Sequence, residues 1–163
     1  MKKIITLLIS VFVFMPVEKM AAQDKVVAEN IKEIITHKQF TFLAETAVPS
    51  NFRSRPLTFG YDVQVAPDSV ISHLPYFGRA YSAPVDPSKG GIQFTSTDFT
   101  YQVKEKDKGG WIVTILPKDY NDVQQMYLHV TESGYATLQI VSTFRQPISF
   151  HGRIRERKYP RAF

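Results

Sequence analysis

The pattern of apolar and polar residues changes rhythm once along this chain, near Gln39. Before it, Val27, Ile31, Ile34 and Ile35 recur at the i, i+4, i+7, i+8 spacing of one helical face, with Lys25, Glu29, Lys32 and Glu33 on the other. The spacing predicts one amphipathic helix over 24–38, with Asp24 as its cap. After Gln39 the period is two. Phe40, Phe42 and Ala44 alternate with Thr41, Leu43 and Glu45, and Leu57, Phe59, Tyr61, Val63 and Val65 form a longer run. Phe99, Tyr101 and Val103 lead into Lys106-Asp107-Lys108-Gly109-Gly110, and Trp111–Leu116 follows at once, so the paired glycines predict a hairpin. Met126, Leu128 and Val130 precede a second turn at Glu132-Ser133-Gly134, from which Tyr135–Thr143 returns. Shorter strands are expected at Ser69–Leu74, Arg79–Ser82, Gly91–Thr95 and Ile148–Ile154.

Prolines 49, 67, 75, 84, 87, 117 and 147 fall between these segments, where a missing N–H harms no ladder. Successive strands joined by short turns predict a mainly β fold. The expected architecture is a single antiparallel β-meander closing into a barrel-like or sandwich domain, with one N-terminal amphipathic helix packed across it. The domain is expected over 24–154, followed by a basic, frayed tail over 155–163 that has no apolar period.

The first 23 residues follow a different logic. Lys2 and Lys3 precede the uncharged run Ile4–Met15, which Pro16 closes and Ala21-Ala22 follow. This is the layout of a signal peptide over 1–23, cut near Ala22 or Gln23, and the run is shorter than the about 20 apolar residues that span a bilayer. The protein is therefore expected to be exported, periplasmic or secreted, and soluble after cleavage. Removing residues 1–23 from the 163-residue chain leaves 140, the size of one compact domain, and the 44% apolar content suffices for a core.

The formal charge of +5 falls to +3 on cleavage, because Lys2, Lys3 and Lys19 leave with Glu18. Much of the remainder is local: Arg153, Arg155, Arg157, Lys158 and Arg161 face only Glu156. The basic balance thus describes one end of the chain and does not indicate a nucleic-acid surface. Such a tail would touch an anionic envelope surface weakly, at about 1 kcal/mol per basic residue. A solvated tail without a partner is the simpler alternative. The sequence holds no cysteine, which excludes disulfides, thiolate-bound zinc, iron–sulfur clusters, thiol catalysis and a lipidated cysteine.

Two clusters carry chemistry-bearing residues. Asp68–Pro84 gathers His73, Tyr76, Phe77, Arg79 and Tyr81 around a Pro-x-x-Gly turn. Aromatic faces beside a guanidinium fork would hold a planar or anionic ligand, whereas the same residues in strands would pack as core and pair Arg79 with a carboxylate. The second cluster, Arg145–Gly152, places an arginine before a last strand that ends in His151 and Gly152. Either Arg145 and His151 face the same cavity as Arg79, or Arg145 ties a loop to the sheet edge and His151 bonds a backbone carbonyl.

The LPYFGRAYSAP run within Ser69–Pro84, the later RQPISFHG, and KQFTFLAETAVP after the helix resemble the exported domain-of-unknown-function family four-two-five-one. The resemblance covers nearly all the chain beyond the leader. It implies a small, mainly β envelope domain of Gram-negative bacteria, without catalytic residues to carry over. Many such proteins carry a lipoprotein cysteine after the leader, which this chain lacks.

The rest of the sequence adds no catalytic signature. His37, His73, His129 and His151 stand at none of the short spacings common in metal sites, and no Gly-x-Ser-x-Gly elbow or phosphate-cradling glycine loop occurs. Asp98, Asp119 and Asp122 read as turn or surface residues. Neither an enzyme nor a metal or cofactor is expected. The preferred reading is a non-enzymatic envelope domain that binds a small apolar or anionic ligand in the concavity of its sheet. In it, Tyr76, Phe77 and Tyr81 would line the site, and Arg79 and Arg145, with His151 nearby, would hold a polar group. The alternative is a protein–protein interaction or structural module that docks through a strand edge or the aromatic turn.

Overall fold

A computed structural model describes residues 18–58, 60–81 and 90–157. Residues 1–17 of the expected leader, Phe59, Ser82, Pro84, Pro87, Lys158 and Arg161 lie outside the described residues. Among the described residues one helix, α1 (Glu18–Thr36), precedes ten strands: β1 (Phe40–Pro49), β2 (Arg55–Pro56), β3 (Asp62–Val65), β4 (Val70–Leu74), β5 (Ile92–Ser96), β6 (Phe99–Glu105), β7 (Trp111–Pro117), β8 (Val123–Val130), β9 (Tyr135–Ser142) and β10 (Ile148–Glu156). They form one antiparallel sheet in the order β5-β4-β3-β1-β10-β9-β8-β7-β6, with β2 paired to β1 beside it. The fold is mainly β, and the sheet nearly closes into a barrel.

The closure follows from one connection. Strands β5 and β6 lie at opposite ends of the strand order, yet only Thr97 and Asp98 separate them in sequence. Residues 92–105 therefore act as a single bent strand, pairing with β4 before the corner and with β7 after it. Among the described residues, each half has one side without a strand partner. The β7–β8 loop covers β5, where Tyr120 stacks on Phe94 at 4.5 Å between ring centroids. Helix α1 covers β6: the Tyr101 hydroxyl donates to the Ile35 carbonyl at 2.7 Å, and Lys32 meets Glu105 at 3.6 Å. Burial drives the Tyr101 phenol pKa upward. Between helix and sheet the interior is filled by Ile35, Phe40, Phe42, Met126, Leu128 and Phe150.

The bend is pinned by a carboxylate. Asp119 accepts hydrogen bonds from the Ser96 hydroxyl (2.5 Å) and the backbone N–H groups of Thr97 (2.8 Å) and Asp98 (3.2 Å). These bonds, the Ser96 hydroxyl foremost, lower its pKa from 3.8 to about 2. A carboxyl group whose folded pKa lies below its unfolded one stabilises the fold above about pH 4, and that contribution is lost as pH falls through about 2. Thermal stability is expected to fall across this window. Asp119→Asn should be less stable near neutral pH and lose less between about pH 5 and pH 2. Parallel pH–Tm curves for the two proteins would show that the corner does not depend on this charge.

The helix differs from the sequence expectation at both ends. It begins at Glu18, so Asp24 lies inside it and caps nothing, and it stops at Thr36. The stop is conformational: Lys38 has φ 56, and the Gln39 N–H reaches back to Ile34 O (2.8 Å) and Lys38 N–H to Ile35 O (3.2 Å). This is a Schellman arrangement with lysine where glycine is usual. The Lys38 ammonium then sits 5.6 Å and 5.2 Å from the Phe99 and Tyr101 ring centroids, which ties the helix end to β6. Ile31, Ile34 and Ile35 are buried as the stripe requires, whereas Val27 stays outside the core and is 39% exposed.

Other strand boundaries also shift for identifiable reasons. The run expected from Leu57 to Val65 is broken by Gly60, whose φ of 100 turns the chain, and ordered pairing resumes only at Asp62. Of the strand expected over Arg79–Ser82, the described residues 79–81 keep one isolated bridge, Ala80 with Arg145. Pro49 and Pro117 terminate strands instead of standing between them. Arg155 and Glu156, expected in a frayed tail, are the last residues of β10, paired with Thr41 and Phe40. In β1 the register slips between Ala44 and Thr46, so the buried positions switch from Phe40, Phe42 and Ala44 to Ala47 and Pro49.

Candidate functional site

One end of the barrel collects the β1–β2 loop, the segment after β4, the β7–β8 loop and the β9–β10 loop. Pro75-Tyr76-Phe77-Gly78 turns the chain there, and a side chain at Gly78 would collide with the Tyr76 ring. The Tyr76 hydroxyl lies 2.9 Å from the Arg79 carbonyl and 3.1 Å from the Gln146 carbonyl, and donates its one proton between them. Burial raises the Tyr76 pKa, against which the backbone bond to Gln146 and the charge of Arg145 act. Residues 79–81 then run antiparallel to 144–146: Tyr81 N–H donates to Phe144 O (2.7 Å) and Gln146 N–H to Arg79 O (3.1 Å).

Arg145 is the keystone of this end. Its Nε lies 3.1 Å from Asp122 Oδ2, with side-chain exposures of only 9% and 13%. Its Nη1 donates to the Gly90 and Gly91 carbonyls at 3.0 Å each, and its guanidinium packs 5.2 Å from the Tyr76 ring centroid. Asp122 also accepts from the Ser142 hydroxyl, while its backbone carbonyl accepts from Thr143 N–H. Neighbouring Tyr120 has its pKa raised, chiefly by burial and then by Asp122. One ion pair thus ties the loops flanking β5, β8 and β10.

Of the six residues singled out in the sequence, five lie at this end and one does not. Tyr76 and Arg145 are held inward by the bonds just described. Phe77 is half-buried with the Arg55 guanidinium 5.1 Å from its ring centroid. Arg79 and Tyr81 are exposed, and no carboxylate pairs with Arg79 among the described residues. His151 lies apart, on the solvent side of β10, where its Nδ1 is 3.0 Å from the Thr137 hydroxyl. It bonds a side chain, where a backbone carbonyl was the expected partner.

The sequence reading passed over Phe144, which is exposed beside Tyr81, and Asp122, which read as a surface acid. Phe144 carried a usable signal, a large apolar residue between two strands. Nothing local marks Asp122, because its burial depends on an arginine more than twenty residues away in sequence. In the basic segment, Arg153 is engaged by Glu45 at 2.7 Å and lies over the Tyr135 ring, and Arg157 donates its N–H to Gln39 O. Hydrogen bonding to Glu45 raises the Arg153 pKa. Among the described residues no group of three or more histidine, aspartate or glutamate side chains is placed to hold a metal ion, and no helix is long and apolar enough to cross a membrane.

Comparison with known proteins gives one consistent result. No curated protein matches the chain. A crystal structure of a DUF4251 family protein from Bacteroides eggerthii superposes with a TM-score of 0.60 at 16% sequence identity, covering 83% of this chain and 91% of that one. At that identity the likeness speaks for the fold alone. The family profile described as "Domain of unknown function (DUF4251)" matches residues 22–154, from the first half of α1 to near the end of β10. The chain belongs to the DUF4251 family.

Proposed function

We propose that this chain is a non-enzymatic, exported binding domain of the cell envelope that takes a small anionic ligand with an apolar body at the barrel end. The leader-like residues 1–23 support export. The observation that carries the binding reading is the state of Arg79, Tyr81 and Phe144. They are exposed side by side on backbone fixed by the Tyr76, Tyr81 and Gln146 hydrogen bonds, and Arg79 has no carboxylate partner among the described residues. An exposed guanidinium two residues from a cross-strand pair of exposed aromatic rings, Tyr81 and Phe144, suits an anion carried on a flat apolar group.

The placement differs from the sequence expectation in one respect. Fully buried side chains fill the concavity of the sheet, so the ligand is assigned to the rim, with Arg79 alone as the charged contact. Arg145 is neutralised by Asp122 and acts from behind by holding residues 79–81 in place.

Phenyl phosphate is a minimal probe. In an NMR titration it should shift the backbone amides of Ala80, Tyr81 and Phe144 saturably, and Arg79→Ala should weaken binding about tenfold without unfolding, the worth of one charge-assisted hydrogen bond. Shifts spread over the whole surface, or unchanged in the variant, would remove the reading. A discrete dimer in an intact-complex mass spectrum that Tyr81→Ala dissociates would favour the docking-module alternative.

A further inference from the structure

We propose a second, separate binding site on the outer face of β8, β9 and β10, built for a saccharide. A groove of about 330 Å³ lies there, lined by Glu45, Lys106, His129, Tyr135, Thr137 and His151 over a floor that includes Gly152. Its parts follow from sheet register. His129, Thr137 and His151 stand directly opposite one another on three adjacent strands, and Tyr135 stands opposite Arg153 in a flanking row. The inward partners Val130, Ala136 and Phe150 are buried in the core, so this polar row is presented outward by the strand alternation itself.

The groups are pre-positioned and only partly satisfied. The Thr137 hydroxyl fixes His151 through Nδ1 at 3.0 Å, which leaves the other ring nitrogen facing out. Arg153 gives its Nε to Glu45 Oε1 at 2.7 Å, leaving the terminal guanidinium nitrogens and the second Glu45 oxygen available. Tyr135 is 57% exposed, and the guanidinium of Arg153 packs 5.5 Å from its ring centroid. Donors and acceptors thus lie together beside one exposed aromatic ring.

That mixture selects the ligand class. A sugar hydroxyl both donates and accepts, which suits a row offering imidazole, hydroxyl, carboxylate and guanidinium groups together. The C–H face of a pyranose ring would cover the part of the Tyr135 ring that the Arg153 guanidinium leaves exposed. Glu45 is paired with Arg153, so no single charge dominates the groove, and its mixed polar lining favours a hydroxyl-rich ligand over a simple ion. The volume accommodates about one or two sugar rings. Lys106, which also lines the groove, adds a contact for an acidic substituent.

The test uses cellohexaose and hexagalacturonate against the purified chain, with AMP as the comparison, read by chemical-shift perturbation. At least one saccharide should bind with Kd of about 0.1–1 mM and shift Tyr135, Thr137 and His151. Tyr135→Ala and Thr137→Val, both substitutions on the solvent face, should each weaken it at least fivefold, while Tyr81→Ala at the barrel end should leave it unchanged. Stronger binding of the acidic oligosaccharide, reduced by Lys106→Ala, would extend the site to acidic sugars. Loss of saccharide binding in Tyr81→Ala, no shift at these three residues with either saccharide, or AMP binding there in their place, would overturn the proposal.

Discussion

Replacing Arg145 with methionine should destabilise the protein by about 3–5 kcal/mol, the cost of stranding one member of a buried ion pair. The substitution leaves the Asp122 carboxylate nearly enclosed with the Ser142 hydroxyl, and it removes the donor to the Gly90 and Gly91 carbonyls. For a domain of this size the loss corresponds to a fall in Tm of roughly 10 °C. The single tryptophan, Trp111, lies buried in the sheet and reports unfolding in urea without added label. The double variant Arg145→Met, Asp122→Leu should recover much of the loss, because removing both charges removes the desolvation penalty as well. A single variant within about 1 kcal/mol of the wild type would mean that water reaches the pair freely.

Gly152→Ala should cost about 3 kcal/mol, at the upper end of overpacking effects, although it adds one methyl group. A Cβ at position 152 would run into the Leu43 carbonyl oxygen and crowd the Ala44 backbone, where β1 slips register opposite β10. Backbone in a paired ladder cannot move aside as a flexible side chain does, so the bulge itself would have to be rebuilt. Equilibrium urea unfolding at constant slope measures the effect directly. A cost below about 0.5 kcal/mol would show that β1 and β10 separate there with little loss, contrary to the register.

The barrel-end site was partly legible. Aromatic and arginine residues around a proline–glycine turn identified the segment 75–81, and the RQP stretch identified its partner. Which of them face water could not be read locally. Tyr76 and Tyr81 look alike in sequence, yet one hydroxyl is drawn onto two backbone carbonyls while the other ring is 68% exposed. Arg79 and Arg145 are equally alike, and only the distant Asp122 distinguishes them. The groove around Tyr135 was invisible for the same reason, since its residues come from separate strands and β1.

By itself the sequence determined the elements. The switch from a helical period to a period of two near Gln39 specified one helix and a β-meander, because each rhythm follows from where successive side chains point. The glycine-bearing turns specified both long hairpins, since few other residues adopt φ near 85° as Gly109, Gly110 and Gly134 do. Tertiary structure decided how the meander closes. Local pattern cannot say that 92–105 is one bent strand shared between two ends of a sheet, nor that α1 and the β7–β8 loop cover its unpaired sides. It also decided which polar residues are buried. Pairing a buried charge is worth most where water is excluded, and exclusion belongs to the assembled barrel, not to any one segment.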